Sequence, residues 1–459
     1  MNFGTVIFAL QAALISILFS SNTFAADLIE VWQAAKTHDP EYRAAQSDQS
    51  AGAARRHLGD TLLQPSVNFV AGAGIVNENS TTTGAQFSTP GFGTFNNANF
   101  NTSINYGART KVGIQASQPL YDRELTAQKG QLRLSAEVTD MGMVAADRAL
   151  ILRVAENYFE TVKAQGIINL LIEQQHAVAN TYSEISKRQH LGDASKIDLQ
   201  ETAEQVEAIK SKLLNVQLAY NNSLLMLTEL TGKTFKINSL EEHFSPADIS
   251  TGNVSEWVST AKLKNPQLKI LALQEQERKT EIEKYNSSLS PKVNLIAQIE
   301  RDQVNGSGDY GSASNTTSNN MIGIQLSVPL TDGYRSAKKD EAFHLAEKAK
   351  LEYERASLEI EKQISSMWFA LTTGKDRIDS LTRIVQLSKD RLDATEKSHR
   401  QGSRTTLELL GAQSDYISSK LVLLEEQINL IVNRVKLSSI AGEISEQDLI
   451  LANHFITRN

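Results

Sequence analysis

The residues that could make or break bonds are few and scattered. The chain has 459 residues, no cysteine and eight histidines: His38, His57, His176, His190, His243, His344, His399 and His454. No two histidines lie one helical turn apart, the spacing that sets two imidazoles on one metal ion. The lack of cysteine excludes disulfide scaffolds, thiolate metal sites, thiol nucleophiles and a lipidated N-terminal cysteine. No phosphate-binding glycine loop, GxSxG elbow or HExxH helix occurs. An enzyme is therefore not expected, and no cofactor or metal is implied. The net charge of -7 has acids and bases interleaved, which leaves no footprint for nucleic acid. What remains is a set of charged groups and glycines around two turns. Gly192 precedes Asp198, and Gly402 lies among His399, Arg404 and Glu408. The glycines suit helix ends in the left-handed conformation. Asp198 and Arg404 fall in the first turns of equivalent helices, where an exposed pair is worth at most about 1 kcal/mol.

Those turns are equivalent because the chain is written twice. Pro40 and Pro266 are 226 positions apart, as are Pro65 and Pro291. Pro119 and Pro329 are 210 apart, as are Gly192 and Gly402, and Gly232 and Gly442. The change of offset gives the first copy a 16-residue insertion between Pro65 and Pro119. The copies span 26–232 and 254–442, with an irregular linker at 233–253 and a tail at 443–459. Each holds a helical piece, two strand-like runs, a long helix (about 127–190 and 337–400) and a shorter one (about 196–230 and 405–440). No proline occurs between Leu120 and Ser245 or after Pro329, as very long helices require. Ile360, Ile364, Met367, Leu371, Gly374, Ile378 and Leu381 alternate steps of four and three. Ile417, Leu421, Leu424, Ile428, Ile431 and Val435 repeat the pattern, so antiparallel helices should pack as a coiled coil across the short turn. A 64-residue helix would extend about 96 Å.

Strand-like runs at about 65–76, 110–119, 291–301 and 321–329 alternate apolar with polar or small residues. Polar segments at 77–109 and 304–320, rich in Asn, Thr, Ser and Gly, read as loops between them. Alternation alone fits an outer-membrane barrel strand and equally a sheet with one face on a soluble core. The loop composition, and the lack of a spare apolar element to cover a sheet, favour the membrane. Four strands cannot close, and open edges are not tolerated in lipid, so that reading requires several chains. Ahead of this lies an apolar run from Gly4 to Ser20 and the sequence Thr23-Phe24-Ala25. It suits a signal peptide at 1–25, with an uncleaved anchor helix as the alternative. No later run approaches the ~20 apolar residues of a spanning helix.

With its duplicated helix–strand–strand–helix plan, its Pro-Leu strand exits at Pro119 and Pro329 and its two glycine turns, the chain resembles the TolC family of outer-membrane efflux and secretion channels. The closing Ala441-Gly442-Glu443-Ile444-Ser445-Glu446 adds to the likeness. The resemblance covers the mature chain and implies a mainly α fold with β. Long antiparallel coiled-coil helices would form an α-barrel in the periplasm, and four transmembrane strands per chain would form a 12-stranded barrel in a homotrimer. It implies outer-membrane lipid, a periplasmic membrane-fusion adaptor and an inner-membrane ABC or proton-driven transporter as partners. The implied function is type I secretion and/or multidrug efflux; the alternative is a periplasmic coiled-coil adaptor or scaffold. The resemblance also implies a periplasmic gate at the turns. Asp198 would bond Arg404 and the position of His399, where relatives have tyrosine. Glu408 would be one of two acids ringing the constriction, the second replaced by Gly411. Gly192 and Gly402 would be the adaptor-contact tips.

Overall fold

The computed structural model describes residues 27–241, 244–286 and 290–456. The signal peptide expected at 1–25, and His243, lie outside the described residues. The first copy runs α1 (Leu28–His38), α2 (Pro40–Thr61), β1 (Ser66–Thr89), β2 (Gly93–Asp122), α3 (Arg123–Leu191) and α4 (Lys196–Thr231). The second runs α5 (Val254–Lys264), α6 (Pro266–Tyr285), β3 (Lys292–Gly308), β4 (Gly311–Ser327), α7 (Gly333–Arg400) and α8 (Thr406–Ala441), after which α9 (Glu446–Asn453) closes the chain. Contacts divide the described residues into a helical unit, within 27–50, 139–271 and 352–456, and a unit holding the sheet, within 51–138 and 272–351.

In the helical unit the duplication reaches individual hydrogen bonds. Asp39 Oδ2 accepts the Tyr42 N–H at 2.9 Å and Asn265 Oδ1 accepts the Leu268 N–H at 3.1 Å. Each bond caps a helix that starts on proline, whose missing N–H costs nothing there. The far ends of α4 and α8 meet these same junctions. Gly232 (φ 69°) and Gly442 (φ 72°) end the two helices in the left-handed region. A Cβ on Gly232 would lie 2.8 Å from His38 Nδ1, and one on Gly442 2.6 Å from the Lys264 carbonyl oxygen. Both the dihedral and the close approach exclude a side chain.

The coiled-coil spacing is realised as packing. Ile364, Leu371 and Ile378 on α7 are fully buried, and Ile417, Ile428, Ile431 and Val435 on α8 nearly so. Gly374, the weak member of that series, is a close approach: a Cβ there would sit 3.2 Å from Leu430 Cδ1. The same core takes in Leu28, Val31, Leu150, Val154, Tyr158 and Phe159. Each large apolar side chain fully buried there stabilises the fold by roughly 1.5–3 kcal/mol. Burial pushes the Tyr158 phenol well above its ordinary pKa. Linker and tail pair with each other through a bridge between Leu240 and Ile456, and the rings of Phe244 and Phe455 lie 5.1 Å apart. The tail is not featureless. Ser445-Glu446-Gln447-Asp448 is a capping-box sequence, and the Ser445 N–H donates to Asp448 Oδ2 at 3.0 Å at the start of α9.

The four strands form one antiparallel sheet in the order β1-β2-β3-β4. They are longer than the alternation indicated, at 24, 30, 17 and 17 residues. The segments expected as loops at 77–109 and 304–320 are almost wholly strand, with turns only around Pro90-Gly91-Phe92 and Asp309-Tyr310. Where a ribbon has little apolar surface to sort between its faces, alternation disappears from the sequence. The backbone ladder persists without it.

Register shows what the sheet presents. Phe69, Ile114 and Ile299 stand opposite one another, as do Val67, Ala116, Ala297 and Ile322. Directly opposed residues share a face, so these rows make one apolar surface across all four strands. Among the described residues that surface is bare: Phe69 is 71%, Ile322 75% and Ile324 71% exposed. The other face carries Asn68, Gln115 and Gln298 in one row. It also carries two ion pairs, Lys111–Glu300 at 2.6 Å and Arg109–Asp302. The outer edges of β1 and β4 pair with nothing among the described residues.

Candidate functional site: the paired hairpin turns

The two turns have the same construction. At the end of α3 the Gly192 N–H donates to the Gln189 carbonyl at 3.1 Å and the Asp193 N–H to that of Arg188 at 2.8 Å. At the end of α7 the Gly402 N–H donates to His399 at 2.9 Å and the Ser403 N–H to Ser398 at 3.0 Å. Each is a Schellman closure around a left-handed glycine, at φ 89° and 74°. A Cβ on either glycine would meet nothing within 4 Å, so the dihedral alone demands glycine and the surface beside it is open. Leu191, Ile197 and Leu407 add apolar side chains there that are 60–77% exposed. Ile197 and Leu407 hold corresponding places in the two copies.

Asp198 and Glu408 prove to be the same position of the duplicated unit, the third residue of a capping box. Asp198 Oδ2 accepts the Ser195 N–H at 3.1 Å, while the Asp198 N–H donates to Ser195 Oγ at 3.0 Å. In the second copy Glu408 Oε2 accepts the Thr405 N–H at 2.8 Å and the Glu408 N–H donates to Thr405 Oγ1 at 3.2 Å. Glu408 is also paired with Arg404, four residues earlier, which the structure places in the turn ahead of Thr405 and not in the first turn of the helix. The Thr405 N–H and then the Arg404 guanidinium hold its carboxyl below the usual glutamate range.

Within one chain the structure does not bring Asp198 to Arg404 or to His399. The acid serves its own helix, Arg404 serves Glu408, and His399 is buried with Nε2 3.4 Å from Thr406 Oγ1. Gly411 is exposed, with open space where a side chain would project. Behind the turns, Val178, Ile209 and Leu410 tie α3, α4 and α8 together. Gln413 Nε2 donates to Thr181 Oγ1 at 3.3 Å, and Lys420 meets Glu173 at 2.6 Å. The Arg391–Asp415 pair joins α7 to α8. The sequence carries no signal for this bracing, because its pairs join residues on different helices far apart in the chain. Among the described residues no cluster could hold a metal ion, and no helix is long and apolar enough to cross a membrane.

The arrangement defines a class: a duplicated helical hairpin protein bearing an amphipathic sheet whose two outer edges are free among the described residues, and offering exposed glycine turns. The sequence profile of the outer membrane efflux protein family matches residues 31–233 and 257–443, and the chain belongs to that family. It is thus an outer-membrane channel protein of the TolC type. The alkaline protease secretion protein AprF of Pseudomonas aeruginosa is 24% identical over 446 residues, spanning 96% of this chain and 90% of that protein. The outer membrane protein TolC of Escherichia coli is 22% identical over 454 residues, spanning 96% and 87%. The solved structure of the outer membrane protein VceC from Vibrio cholerae shares the fold with a TM-score of 0.74 at 13% identity, covering 90% of this chain and 96% of that one.

Proposed function

We propose that three copies of this chain close their sheets edge to edge into a 12-stranded pore. The helical hairpins would form the periplasmic conduit through which an inner-membrane transporter, joined by an adaptor, exports its cargo. The observation that carries this is the bare apolar face of a sheet whose β1 and β4 edges are both unpaired among the described residues. A lipid-facing sheet has no stable open edge, because an unmatched backbone group in hydrocarbon costs several kcal/mol. Joining β4 of one copy to β1 of the next satisfies every strand. The polar face then lines the lumen, as in water-filled barrels.

The conduit ends at the two turns. We assign Gly192 and Gly402, with the exposed Leu191, Ile197 and Leu407, to contact with the adaptor. Asp198, Arg404, His399 and Glu408 are assigned to closure of the periplasmic entrance. Since Asp198 and Arg404 do not meet within a chain, their contact belongs between neighbouring copies. Protein cargo handed over by an ABC transporter is the favoured substrate class, in keeping with the secretion protein AprF; efflux by a proton-driven pump is the other. Deleting the gene and following both secreted protein and drug susceptibility tests this. Loss of an exported protein with unchanged susceptibility supports secretion, and the reverse supports efflux.

A further inference from the structure

We propose that the β1–β2 ribbon beyond Val76 folds across the pore-facing side of the sheet and restricts the size of what passes the outer mouth. The inference rests on the reading of the sheet as pore wall. Its first support is shielding by alternation. Along the outer end of β3, Val304 and Gly306 point to the face that carries Arg109 and Lys111, and Val304 is only 4% exposed. Their neighbours Asn305 and Ser307, on the apolar side of the sheet, are exposed. Something covers the polar face there and leaves the other bare.

The cover is the ribbon itself. Ile104 is 1% exposed, and its Cγ2 occupies the space that a Cβ on Gly107 or Gly306 would need. A Cβ on Gly308 would likewise strike Ser103, whose Oγ accepts the Asp309 N–H at 3.3 Å. Three glycines in two strands thus form a seat for one stretch of β2. The bend that brings it there is built in. The ladder pairs Val76 with Gly107 and then jumps to Glu78 with Ile104. Within the jump Tyr106 holds φ 54°, a left-handed conformation rare for a bulky residue, and its N–H donates to Asn77 Oδ1 at 2.6 Å. The second copy has no counterpart, since β3 and β4 end at Asp309-Tyr310. In a pore of three copies, three ribbons would converge. Each would carry the Phe87, Phe95 and Phe100 cluster, with ring centroids 5.7–6.4 Å apart.

The absence of cysteine makes the test direct. In one variant residues 77–106 are replaced by Asn-Gly, joining the paired Val76 and Gly107 by a two-residue hairpin turn. Gln115→Cys on the polar face is then labelled from outside intact cells with a small methanethiosulfonate and with a bulky polyethylene-glycol maleimide. The restriction predicts that shortening speeds bulky labelling at least about tenfold and leaves small-reagent labelling within about twofold. Equal bulky labelling in both proteins would overturn the restriction alone. Failure of even the small reagent to reach Gln115→Cys in either would count against the pore itself. Should the shortened chain not assemble, I104C/G306C in the full chain decides. A disulfide forming within one chain under mild oxidation places the ribbon on the sheet, and its absence with both thiols reactive removes it.

Discussion

Asp198 and Glu408 look like unrelated gate acids in the sequence, yet each closes the capping box of its own helix. The first duty of both is therefore local. Thr405→Ala should loosen the start of α8 by about 1 kcal/mol, read as roughly fivefold faster amide exchange at Glu408, whose N–H loses its acceptor, and at Leu409. The pH dependence follows from the lowered Glu408 pKa. A carboxyl held lower in the folded chain contributes stability that is complete above its unfolded value and is lost as pH falls through the folded one. The start of α8 should thus keep its protection, corrected for intrinsic exchange, from pH 7 down to pH 5, and lose it in more acid solution. In Glu408→Gln this acid step should vanish. At the gate, Arg404→Ala and Asp198→Ala should each raise single-channel conductance in planar bilayers. Unchanged conductance in both would remove the proposed contact between copies. Spacing showed that these residues flank equivalent turns. It did not show that Arg404 pairs with Glu408 and not with Asp198, because spacing along the chain sets no distance between the two turns.

At the level of elements, the sheet's two faces should respond oppositely to charge. Phe69→Arg and Ile322→Arg place a cation on the apolar face, at roughly 2–4 kcal/mol each if near the bilayer midplane. Both should reduce the amount of assembled protein in the outer membrane, whereas Gln115→Arg on the polar face should not. Helix packing gives a parallel case. A Cβ on Gly166 of α3 would lie 2.7 Å from Leu424 Cδ2 of α8, so Gly166→Leu should lower thermal stability well beyond a surface change. Helices were legible in detail, because the heptads that bury Ile364, Leu371 and Ile378 leave a regular trace. Strand ends were not. The Asn- and Thr-rich ribbon from Asn77 to Thr102 has no single buried face, so its ladder leaves no period to read. Gly374 breaks the apolar series in the sequence because Leu430 of the facing helix fills its place.

For the whole molecule, duplication explains why one chain holds two strand pairs, two long hairpins and two turns, and why neither strand pair is complete alone. The repeat was plain from proline and glycine offsets. Closure between copies was not, since no residue of a single chain records its partner's position. The most direct measurement of that closure is the mass of the detergent-extracted protein taken from outer membranes washed with carbonate. The account predicts a particle of three chains that resists the wash. A stable single chain in detergent-free buffer, with Phe69, Ile322 and Ile324 shielded by its own helices, would contradict it.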